Sequence, residues 1–129
     1  MPLSKARRAI LLVDHGSRSA EANRVVSRVA GRLRKRLPAC RVAFAHMELA
    51  PPSIGDAVDA LVATGVEEIV VHPFFLSPGI HGTRDVPRLA LAAARRHPGL
   101  DLRVTPPLGI HDALIDVIID RVQPSRRKK

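Results

Sequence analysis

The chain has 129 residues, enough for one hydrophobic core and too few for two. Its formal net charge of +9 invites a polyanionic partner, but only three aromatic residues, Phe44, Phe74 and Phe75, are present, with no Trp or Tyr. Little is therefore available to stack on nucleic-acid bases, and Cys40, the single cysteine, excludes an intramolecular disulfide and any cysteine-based zinc or iron–sulfur centre within the chain.

In chain order, the apolar run Ala9–Val13 reads as a strand buried on both faces. It runs out into Asp14-His15-Gly16-Ser17. A helix is expected from about Ser19 to Leu37, where Ala22, Val25, Val26, Val29, Ala30, Leu33 and Leu37 recur at helical spacing until Pro38 closes it. Arg41–Met47 is the second strand, with Cys40 expected as a small buried residue at its start. Pro51-Pro52-Ser53 opens a second helix striped by Ile54, Ala57, Val58, Leu61 and Val62 and stopped by Gly65. Glu68–His72 is the third strand, followed by a long loop. Asp85 with Pro87 starts a third helix that reaches Arg96. Leu100–Thr105 is the fourth strand, and a last helix carries Leu114, Ile115, Ile118 and Val122 up to Pro124.

Alternation of this kind predicts an α/β fold, a three-layer α/β/α sandwich whose four-stranded parallel sheet is covered on both faces. Residues 1–123 are expected to form one domain, and 124–129 a basic, disordered tail. The run after Arg8 is too short for a signal-peptide core and no stretch approaches membrane-spanning length, so the expected location is the cytoplasm.

In an open parallel sheet, ligands bind outside the carboxyl ends of the strands. His15 follows the first strand, Glu48 follows the second, and His81 lies in the loop after the third. Two imidazoles and a carboxylate suit iron or cobalt while leaving coordination positions open. The same residues also fit plainer roles, a turn-capping histidine and a surface ion pair. A hydrolase built on Ser17 and His15 fits poorly, because the two are only two residues apart and G-x-S-x-G is absent. No glycine-rich phosphate loop follows the first strand. His46 and His72 read as hydrogen-bonded structural residues, His97 as a helix C-terminal residue facing the dipole, and His111 as a candidate for the cleft.

Four segments carry a family resemblance: DHGSR (Asp14–Arg18) with Glu21-Ala22-Asn23, AHMELAPPSI (Ala45–Ile54), VVHPFFLSPGIHGTRDVP (Val70–Pro87) and PPLGIHDAL (Pro106–Leu114). In these the chain resembles the short, single-domain CbiX/SirB-type sirohydrochlorin chelatases, over about Ile10 to Val122. Pro51 and Asp112 depart from the family pattern without removing a proposed ligand. The resemblance implies insertion of Fe²⁺ or Co²⁺, as metal substrate, into an acidic tetrapyrrole without ATP. It implies no tightly bound cofactor, a homodimer, and His15, Glu48 and His81 as the catalytic metal-binding set. A neutral imidazole could hold the metal or take a pyrrole proton. Arg18 and Arg84 are expected to meet substrate carboxylates, with Ser17, Gly79 and His111 lining the same cleft. Rival readings are a metal or tetrapyrrole carrier on the same fold, and a nucleic-acid binder using the RRKK end.

Overall fold

The computed structural model describes residues 7–77, 79 and 84–123. Within them four strands and four helices alternate: β1 (Arg8–Asp14), α1 (Ala20–Arg36), β2 (Arg41–His46), α2 (Ile54–Ala63), β3 (Glu68–Pro73), α3 (Val86–Ala94), β4 (Asp101–Val104) and α4 (Asp112–Val122). The strands form one parallel sheet in the order β2-β1-β3-β4. The central strand β1 is the most apolar one, as a strand with neighbours and helices on both sides requires.

Two apolar clusters flank the sheet. On one side Ala9, Leu11 and Val13 of β1, with Ala45, Ile69 and Val71, pack under Ile54, Ala57, Val58 and Leu61 of α2 and Val86, Ala90 and Ala93 of α3. On the other side Leu12 and Val42 meet Val26 and Ala30 of α1, with Ile10, Phe44 and Phe74 around them. The three-layer α/β/α arrangement expected from the alternation is the one found.

Helix starts follow local chemistry. Ser19 caps α1 by accepting from the backbone N–H of Ala22, and Ser53 caps α2 by accepting from that of Asp56. Arg34, Lys35 and Arg36 end α1, where positive charge complements the negative helix end. Arg34 also reaches the backbone carbonyl of Val42 on the edge strand β2, at 2.8 Å.

Two expectations are corrected. Cys40 is half-buried rather than enclosed. More consequentially, α4 covers neither face of the sheet: none of its residues is buried, and Ile115, Ile118, Ile119 and Val122 are 42–66% exposed. The cause lies in the linker before it. Leu108 and Gly109 donate to the carbonyls of Phe75 and Leu76, holding the chain alongside the continuation of β3 and carrying it outward past the sheet.

Candidate active site

All four strands end on the same rim because they are parallel. Pairing of β1 with β2 continues beyond both strands: Met47 N–H donates to the carbonyl of Asp14 at 2.8 Å, and Glu48 N–H to that of His15 at 3.1 Å. His15 and Glu48 are thus joined directly through the backbone. The loop after β1 passes so close that a Cβ on Gly16 would stand 1.8 Å from the Glu48 carbonyl oxygen, and Gly16 adopts φ +88°. Only glycine satisfies both demands.

The His15 ring stacks on Phe75, with centroids 4.0 Å apart and planes 18° from parallel. Phe75 is itself buried, so the stack sets the plane of an imidazole that stays exposed to solvent, as does the Glu48 carboxylate. Just below, His46 is 2% exposed and its Nδ1 lies 2.6 Å from Asp14 Oδ1. That contact clamps the ends of β1 and β2 immediately before the residues that present His15 and Glu48. The expected structural role of His46 is met, with Asp14 as its partner. His72 is likewise structural, its Nδ1 2.8 Å from the Thr105 hydroxyl. Burial holds the His72 pKa below its ordinary 6.5, against a smaller opposing effect of the Pro106 carbonyl.

The other proposed site residues fall into different settings. Ser17 belongs to the turn that starts α1: its N–H donates to Asn23 Oδ1, its carbonyl accepts from Asn23 Nδ2, and its hydroxyl accepts from Ser19 N–H. Arg18 is exposed beside it. Gly79 is exposed with φ +52°. Arg84 is 73% exposed, its Nε 3.7 Å from Asp85 Oδ1. His111 is the N-cap of α4, its Nδ1 accepting from Ala113 N–H at 3.0 Å. It lines an apolar cavity of about 610 Å³ with Leu76, Ser77, Leu114 and Ile118. His81 lies outside the described residues. Among the described residues no three His, Cys, Asp or Glu side chains converge closely enough to hold a metal.

His97 differs from expectation. Its Nε2 is 2.7 Å from Asp59 Oδ1, across from α3 to α2, and Arg96 joins the same oxygen at 2.9 Å. Hydrogen bonding from His97, then from Arg96, holds the exposed Asp59 carboxyl below its usual range. This group sits at the end of the molecule where β4 begins, away from His15. Sequence reasoning missed Phe75; the signal was the aromatic pair Phe74-Phe75 directly after a strand, where alternation sends one ring to each face.

The fold is thus an open α/β sheet whose carboxyl rim, where ligands of such sheets bind, carries His15 and Glu48 on two loops joined through the backbone. Comparison with known proteins narrows the class. The family model described as CbiX matches residues 9–125, and the chain belongs to that family. It is 43% identical over 114 residues to the chloroplastic sirohydrochlorin ferrochelatase of Arabidopsis thaliana, covering 88% of this chain and 51% of that protein. It is 33% identical over 134 residues to the sirohydrochlorin cobaltochelatase of Methanothermobacter thermautotrophicus, covering 92% and 93%. The crystal structure of the sirohydrochlorin chelatase SirB from Bacillus subtilis subspecies spizizenii in complex with cobalt superposes with a TM-score of 0.85 at 27% identity, over 92% of this chain and 50% of that one. The chain thus spans about half the length of the plant protein and of SirB, and nearly all of the archaeal enzyme.

Proposed function

We propose that this chain is a sirohydrochlorin chelatase, a lyase that inserts Fe²⁺ or Co²⁺ into the acidic tetrapyrrole without ATP. The observation that carries the reading is the junction of His15 and Glu48 at the rim, through the backbone bond from Glu48 N–H to the His15 carbonyl. Family membership over residues 9–125 and relatives named for both metals support it.

Metal insertion requires a partly dehydrated divalent ion to be presented to the macrocycle and two pyrrole N–H protons to leave. His15, its plane set by Phe75, supplies an imidazole nitrogen for the metal. Glu48 supplies an anionic oxygen that draws the cation and takes up protons. His81 completes the set from the loop after β3. Arg18 and Arg84 meet the carboxylates at the substrate's periphery, and a cationic rim raises the rate of encounter. The working form is a homodimer in the cytoplasm; no helix among the described residues is long and apolar enough to cross a membrane.

The test is a multiple-turnover absorbance assay with sirohydrochlorin and Co²⁺ or Fe²⁺. Turnover that falls by about 100-fold or more in His15→Ala and in His81→Ala, with the far-ultraviolet circular dichroism unchanged, is expected for loss of a metal-handling or proton-accepting group. Unchanged turnover in either variant removes that histidine from the site. Stoichiometric binding without turnover by the native chain makes it a carrier.

A further inference from the structure

Leu49 stands at the rim in a conformation that leucine seldom adopts. Its φ is +73°, and among the described residues it is the one non-glycine residue in the left-handed region. A bulky side chain is strained there, whereas Gly or Asn fits at little cost. The core does not use the side chain either, since Leu49 is 56% exposed. Strain without burial points to a role outside packing.

The neighbouring backbone leaves the chain no easier course. Glu48 N–H donates to the His15 carbonyl, Met47 N–H to that of Asp14, and His46 N–H to that of Pro52, which closes the loop from its far end. Gly16 lies against the Glu48 carbonyl. Leu49 is thus the turning residue of a loop pinned on both sides, directly after the proposed ligand Glu48.

A second exposed leucine stands across the site. Leu76, 65% exposed, follows Phe75, on which the His15 ring stacks. The sheet order places β1, which leads to His15, between β2, which leads to Leu49, and β3, which leads to Leu76. Strands lie about 4.8 Å apart, so the ends of β2 and β3 are ~10 Å from each other, comparable with the width of a tetrapyrrole ring. Along the rim, leucine is followed by carboxylate, imidazole and leucine again, and the exposed Arg18 and Arg84 belong to segments of the same rim. A tetrapyrrole has the matching order of polarity: nitrogens at the centre, an apolar ring around them, carboxylates at the edge.

We propose that Leu49 is a substrate contact: with Leu76 opposite, it holds the apolar ring of the tetrapyrrole so that the central nitrogens stand over His15 and Glu48. The left-handed turn presents the leucine beside the glutamate instead of returning it to the core. This inference rests on the chelatase reading above and specifies how the ring is held.

The test compares the native chain with Leu49→Asn and Leu49→Met. Asn accepts the left-handed backbone without an apolar side chain, and Met keeps an apolar one. Binding of metal-free sirohydrochlorin is read by fluorescence titration, and insertion of Co²⁺ by absorbance. In Leu49→Asn the affinity for sirohydrochlorin should fall about tenfold, as expected for one buried aliphatic side chain. KM should rise by the same factor while kcat stays within about twofold of native. Leu49→Met should recover most of the affinity. The melting temperature of Leu49→Asn should equal or exceed the native one, because the strain is relieved.

Native affinity in Leu49→Asn overturns the contact. So does a loss confined to kcat, which makes Leu49 a support for Glu48 instead. A lowered melting temperature assigns the side chain to the fold, and a lowered mass in sedimentation assigns it to contact between copies; either overturns the proposal. A native chain that neither binds nor converts sirohydrochlorin overturns the chelatase reading as well. Native turnover that Leu49→Asn leaves untouched overturns this inference alone.

Discussion

His46 Nδ1 stands 2.6 Å from Asp14 Oδ1 at the point where β1 and β2 deliver the chain to the rim. The histidine is buried and the carboxylate partly so, hence removing one partner leaves the other desolvated and uncompensated. His46→Ala should cost about 3 kcal/mol of stability, read from urea denaturation. Because the pair supports the segments that present His15 and Glu48, chelation should fall even at temperatures where the variant stays folded. A loss under about 0.5 kcal/mol, typical of an exposed pair, would show that the contact does not hold the strands.

Gly16→Ala asks whether the close approach of the two loops matters. The new Cβ would meet the Glu48 carbonyl at 1.8 Å in a backbone conformation with φ +88°. The loops must separate, and the strain alone is worth about 1–3 kcal/mol. Turnover should drop more than stability does, since the displaced residues are His15 and Glu48. A variant with native turnover and native melting temperature would refute the constraint.

Phe75→Leu keeps most of the buried volume and removes the ring under His15. The expected loss of stability is about 1 kcal/mol, with a larger proportional loss in kcat than in affinity for the tetrapyrrole. An equal loss in both would assign Phe75 to packing alone.

His72 supplies a pH signature independent of the rim. Burial favours its neutral ring, so its pKa in the fold lies below 6.5. Between that lowered value and 6.5 the unfolded chain binds more protons than the folded one. Stability is therefore complete above 6.5 and declines as pH falls through the window. His72→Asn should flatten this part of the profile, measured as the urea midpoint against pH. A native-like slope in the variant would place the titration elsewhere.

Much of this was legible before any coordinates. The strands announced themselves as short apolar runs, apolar periodicity from about Ser19 and the Pro51-Pro52-Ser53 opening marked two helix starts, and the rim rule selected His15 and Glu48 from among many polar residues. What escaped detection is non-local. The His15–Phe75 stack joins residues sixty positions apart in sequence, and no periodicity reports such a meeting. The pairing of His97 with Asp59 overrode a reading based on the nearby helix end. The departure of α4 depends on Leu108 and Gly109 bonding to Phe75 and Leu76, whereas the helix's own amphipathic pattern is that of one lying on a sheet. Periodicity identifies which side of a helix is apolar; it does not identify the surface that side meets.

The guanidinium of Arg34 on the Val42 carbonyl has a consequence for solubility. A sheet with open borders can recruit further strands edge to edge, and β2 is one such border. There a charged side chain already occupies a backbone acceptor that an incoming strand would seek. The opposite border, β4, is only four residues long and carries the exposed charges of Asp101 and Arg103. Stacking of sheets into fibres is thereby discouraged at both borders, so growth of the assembly by strand addition is blocked while association through helices stays open.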